Sequence, residues 1–91
     1  MTRKQLNNLK SKINPNNQYD FLKFFLLTCY KGIPITDDTL GLLFDEKIII
    51  AAKSKGIISF NESKNRYDFP YVNYARKSIN VPDEWFELEI N

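Results

Sequence analysis

Residues 19–30 read YDFLKFFLLTCY, where only Asp20, Lys23 and Thr28 interrupt a run of apolar and aromatic side chains. A helix over this stretch has no continuous polar face, so the rest of the chain must bury it on most sides. Twelve residues carrying two charges fall well short of the roughly 20 apolar residues that span a bilayer, so the run is expected to be a core helix. Its end is marked as well. Lys31 puts a cation in the last turn, Gly32 offers a left-handed cap, and Pro34 prevents continuation.

A chain of 91 residues has room for one core, and 43% of its residues are hydrophobic. Seven Phe, five Tyr and Trp85 supply much of the filling, because each aromatic hides roughly 150–250 Å² when buried. We expect a single domain over residues 1–91, made of an N-terminal helix (1–14), a helix and hairpin core (17–72) and an acidic tail (81–91). Internal repeats and low-complexity tracts are absent from the sequence.

The flanking elements follow from local signals. Thr2 and Gln5 have capping-box spacing and precede Leu6, Leu9 and Ile13 at helical intervals. Asn14-Pro15 stops that helix, and Asn16-Asn17 offers the next N-cap. Thr36 can cap a further helix whose first turn carries Asp37 and Asp38. Residues 37–55 admit three readings: one amphipathic helix ending at Gly56, two short helices divided near Phe44-Asp45, or a strand over 47–51 through Ile48, Ile49 and Ile50. Helix is preferred over strand.

Residues 57–60 and 67–71 then read as paired strands around the polar turn 61–66, with Pro70 ending the second or making it an edge. Residues 71–79 form either a short helix or an irregular stretch, and the alternation after Trp85 predicts a half-buried strand. The expected fold class is therefore α+β: three N-terminal helical segments, a β-hairpin, and a short C-terminal strand or extended tail.

Several chemistries drop out. Histidine is absent and Cys29 is the sole cysteine, which removes Ser-His and Cys-His nucleophile pairs, Cys/His zinc sites and any internal disulfide. Such cysteine usage suits a reducing cytoplasm, and Cys29 itself is expected to be a buried thiol. The basic start MTRKQL leads into polar residues, so no secretion signal is expected. Gly32, Gly41 and Gly56 are too widely spaced for a phosphate-binding loop. Asp45 with Glu62 and Lys64 resembles the sparse carboxylate and lysine pattern of metal-dependent restriction-type nucleases, but Glu62 and Lys64 fall in a turn, where a solvated hairpin tip is the simpler reading. We expect a non-enzymatic protein with no cofactor and no metal.

The net charge of +2 conceals an asymmetry. Asp83, Glu84, Glu87 and Glu89 lie in the last nine residues, so residues 1–82 hold all thirteen bases against seven acids, a net +6. Arg3, Lys4, Lys10 and Lys12 crowd the first helix. Lys53, Lys55, Lys64, Arg66, Arg76 and Lys77 bracket the hairpin, interleaved with Tyr67, Tyr71 and Tyr74. Gathered on one face, these would suit phosphates and bases. Asn, Lys, Ile, Phe and Tyr, which have AT-rich codons, make up 42 residues, which points to an AT-rich bacterium, its phage or another AT-rich parasite as the source.

Across residues 19–69 the order of helix, extended link and helical segment, then Lys55-Gly56-Ile57-Ile58 entering a hairpin with Arg66-Tyr67-Asp68-Phe69, resembles the winged-helix family. The resemblance implies a recognition helix over 46–55, a wing over 61–66, and DNA as the partner. Lys53, Lys55, Lys64, Arg66, Tyr67, Arg76 and Lys77 are then the expected nucleic-acid contacts of a cytoplasmic transcription regulator, with the acidic tail pairing two subunits or masking the basic face. The alternative is a protein-binding inhibitor or adaptor directed at a host or defence-system protein, anchored by Tyr71, Tyr74 and Trp85.

Overall fold

In a computed structural model, which describes residues 2–88 and 90, the chain runs α1 (Arg3–Lys12), α2 (Gln18–Lys31), α3 (Asp37–Leu43), α4 (Glu46–Ser54), β1 (Ser59–Asn61), β2 (Arg66–Asp68), α5 (Val72–Ser78) and α6 (Asp83–Phe86). The class is α+β. Four helices, rather than three segments, precede the hairpin. Among the described residues no helix is long and apolar enough to cross a membrane.

The apolar run is the axis of the molecule. Phe21, Leu22 and residues 24–28 of α2 are buried, whereas Tyr19, Cys29 and Tyr30 at its ends are exposed. Burial of the helix middle thus stops one residue before Cys29, whose thiol is exposed rather than buried as the sequence suggested. Both ends are capped as expected. Asn17 Oδ1 accepts from the Asp20 N–H at 3.1 Å. Gly32 sits at φ +68°, where Ile33 N–H reaches Thr28 O at 2.9 Å and Gly32 N–H reaches Cys29 O at 3.2 Å, satisfying two orphan carbonyls of the last turn.

The phenylalanines of α2 hold the next two units in position. Phe44, in the turn between α3 and α4, meets Phe21 edge-on with ring centroids 5.0 Å apart and lies 5.7 Å from Phe24. Phe69, just past β2, lies 5.3 Å from Phe25. This insertion of Phe44 explains why residues 37–55 are two helices. The backbone extends at Phe44 (φ −129°, ψ 151°) and Asp45 (φ −66°, ψ 147°), and the Asp45 N–H is taken by Pro15 O at 3.1 Å. Gly41 and helical spacing could have carried one helix through, but a buried ring and an outside acceptor outweigh one turn of propensity. The strand reading of residues 47–51 fails with it.

Helix α4 closes on Gly56 at φ +73°, with Ile57 N–H on Ala52 O at 2.9 Å and Gly56 N–H on Lys53 O at 3.1 Å. Ile57 and Ile58 are buried as the chain enters β1. The hairpin is antiparallel, with Ser59 opposite Asp68, Phe60 opposite Tyr67 and Asn61 opposite Arg66. It is shorter than the sequence suggested, because Phe69 turns into the core and Pro70 has no N–H to extend the ladder. The extended link before α3 joins it: Tyr67 N–H donates to Ile35 O at 2.9 Å.

Residues 71–79 settle as helix α5, which packs on α2 with Ala75 buried. The tail differs from the expected strand. Pro82 sets an extended start, α6 forms one turn, and Trp85 enters the core while Phe86 faces outward. Ile90 is buried, and Lys31 Nζ donates to Leu88 O at 2.8 Å, tying the tail to the end of α2. Glu89, part of the predicted alternation, lies outside the described residues.

Candidate nucleic-acid interface

Successive residues of α4 turn by about 100°, which divides its three isoleucines. Ile48 and Ile49 pack against the core, whereas Ile50 is 57% exposed. Glu46, Lys47, Ile50, Lys53 and Ser54, spaced at helical intervals, form the solvent face of the helix. Lys55 continues it as the C-cap residue.

Beside α4 stands the hairpin, and one side chain connects them. Tyr67 is 6% exposed and donates its hydroxyl to the Asp37 carboxylate at the start of α3. The Lys53 ammonium lies 5.3 Å from the centroid of the same ring. The neighbouring Tyr67 hydroxyl is the main reason that the Lys53 pKa rises above its ordinary value, with burial opposing and Asp37 adding to the rise. Tyr67 is raised too, first by burial and then by Asp37, with Lys53 opposing. The lysine is therefore fully charged at neutral pH.

The hairpin tip is organised by Asn61, whose Oδ1 accepts from Ser63 Oγ at 2.7 Å and from the Lys64 N–H at 3.2 Å. Asn65 completes the turn at φ 52°, a conformation asparagine tolerates well. Lys64 is exposed at the tip. Arg66 alternates with Tyr67 and so emerges on the opposite face of the ribbon, the face on which Asn61 Nδ2 donates to Asp68 Oδ2 at 3.2 Å.

The sequence-predicted basic residues are spread over α4, the hairpin and α5. Lys53, Lys55, Lys64 and Arg66 belong to α4 and the hairpin. Arg76 belongs to α5, with its guanidinium 5.6 Å over the Tyr30 ring at the end of α2, and Lys77 is exposed beside it. Two aromatic candidates are corrected by burial. Tyr67 is enclosed with its hydroxyl committed, so it has no face for a base. Trp85 is 3% exposed, with Lys23 Nζ 5.7 Å from its ring, and anchors the tail to the core rather than to a partner. Tyr71 is half-buried and Tyr74 exposed, their rings 4.7 Å apart. Burial and Tyr74 push the Tyr71 pKa up.

Glu62 and Lys64 occupy an exposed turn, and no group of three His, Cys, Asp or Glu able to hold a metal ion occurs among the described residues. Lys47 and Ile50 were missed by sequence reasoning. Their signal was the spacing 47, 50, 53 and 54 within the helix expected over 46–55, and which of its faces is open to solvent is set by packing. No family model, curated protein or solved structure matches the chain.

Proposed function

We propose that the protein is a small non-enzymatic nucleic-acid-binding regulator with a winged-helix-like core, using α4 as its reading helix and residues 61–66 as its wing. The observation that carries this reading is the solvent face of α4, where Lys47, Lys53 and Lys55 flank an exposed Ile50 beside a hairpin tipped by Lys64. The lysines suit phosphates, which supply most non-specific affinity. Ile50 and Ser54 suit base edges, since an apolar side chain can meet a thymine methyl group and a hydroxyl can bond to any base. Support also comes from the order of α2, extended link, α3, two-residue turn, α4 and hairpin, which is the order the winged-helix resemblance implies.

Arg76 and Lys77 are left out of this interface because they belong to α5, and Tyr67 acts by bracing Lys53. The test is fluorescence anisotropy of the full chain on a labelled duplex, titrated at several salt concentrations. Affinity should fall steeply with salt, and Lys47→Glu combined with Lys64→Glu should weaken it at least tenfold while leaving the circular dichroism spectrum unchanged. A salt-independent interaction, or a double variant that binds like the original, overturns the reading.

A further inference from the structure

Four of the exposed large hydrophobic side chains lie on or beside α5: Tyr74, on the helix itself, borders one groove with Tyr19, and Tyr30 borders another with Phe86. Tyr74, Tyr30 and Phe86 are 59%, 49% and 38% exposed, and the Tyr30 and Phe86 rings lie 5.8 Å apart. Such rings in open solvent, next to an arginine, have the composition of an interface core. Charges of both signs occur on these elements. Arg76 and Lys77 end α5, while Asp83, Glu84 and Glu87 lie on or just after α6.

Arg76 and Asp83 line one groove of about 300 Å³ together with Tyr30, Asn80 and Phe86. They nevertheless form no ion pair. Among the described residues the only pair within 4.0 Å is Lys23 with Asp20, so among them the bases of α5 and the acids around α6 form no ion pair. A twofold axis through this face would set each copy's Arg76 and Lys77 against the other copy's Asp83, Glu84 and Glu87, satisfying both sets at once, as a self-complementary interface requires.

We infer that the α5–α6 face is the contact surface of a symmetric homodimer. It buries Tyr30 and Phe86 and is held in register by reciprocal base-to-acid pairing. This inference does not rest on nucleic-acid binding, since it uses different residues.

Sedimentation velocity of the full chain across the micromolar range, at low ionic strength, tests it. The unaltered protein should dimerise reversibly. Variant one (Arg76→Glu, Lys77→Glu) sets acid against acid, and variant two (Asp83→Lys, Glu84→Lys, Glu87→Lys) sets base against base, so each alone should be monomeric. Mixed, they should form a one-to-one heterodimer, because every reciprocal pair is again opposite in sign. That recovery distinguishes lost pairing from lost folding. An unaltered chain that stays monomeric overturns the inference and leaves the face to a different protein. A dimer that survives in both variants, or variants that fold yet fail to pair when mixed, overturns it equally.

Discussion

Tyr67 on β2 donates its hydroxyl to Asp37 at the start of α3 while its ring lies under the Lys53 ammonium at the end of α4. One buried phenol therefore joins the first turn of one helix, the last turn of the next and the hairpin. Tyr67→Phe keeps the ring and removes the bond to a carboxylate. It should cost about 1 kcal/mol, since Asp37 remains solvated, as read from urea unfolding at neutral pH.

The same residue governs the alkaline limit of stability. Folding raises the Tyr67 pKa, so between the ordinary phenol value of about 10 and the folded value the native state keeps a proton that the unfolded chain has released. Stability is complete below that window and declines as pH rises through it. Lys53, also raised, acts in the same direction. Tyr67→Phe should make the fall of the urea midpoint between about pH 9 and 11 shallower without abolishing it, because the raised Tyr71 remains.

Phe44 is the wedge that separates α3 from α4, and its removal leaves Phe21 and Phe24 facing a void. Phe44→Ala should cost roughly 3–5 kcal/mol, a large part of the margin of a domain this small. Phe44→Leu, which keeps apolar volume in the gap, should cost less. Trp85 fluorescence in a denaturant titration reports both.

Two glycines have open space where a Cβ would go, yet they should respond with opposite signs. Gly56 sits at φ +73°, so Gly56→Ala should cost roughly 1 kcal/mol through backbone strain alone. Gly41 lies within α3, so Gly41→Ala should stabilise by roughly 0.5–1 kcal/mol. Thermal unfolding of the pair should bracket the original protein.

Cys29 is exposed, yet partial burial raises its pKa, with Arg76 opposing. An aromatic disulfide reagent should label it completely in the folded protein, slowly at neutral pH and faster as pH rises, because the thiolate is the reactive form. No labelling before denaturation would show the thiol to be enclosed.

Much of the secondary structure was legible because its signals are local. Thr2 with Gln5, Asn17 with Asp20, and Thr36 with Thr39 meet within one turn, so the sequence alone marked where three helices begin. Gly32 and Gly56 marked where α2 and α4 end, because few other residues accept a left-handed backbone. The candidate site was less legible. Lys53, Lys55, Lys64 and Arg66 could be named by charge, but that α4 turns Lys47 and Ile50 to solvent depends on Ile48 and Ile49 packing against the core.

The amino-acid sequence by itself determined that a phenylalanine-rich helix would be the core, that Gly56 would hand a helix over to a hairpin, and that chemistry needing histidine or paired cysteines was absent. Only the tertiary structure decided that Phe44 would split residues 37–55, that Tyr67 and Trp85 would be enclosed, that Cys29 would be open, and that Lys53 would sit over Tyr67 and Arg76 over Tyr30. The physical reason is range. Caps and turns are closed by neighbours a few residues apart, whereas burial and the sharing of a face depend on which distant side chains win the limited space around α2.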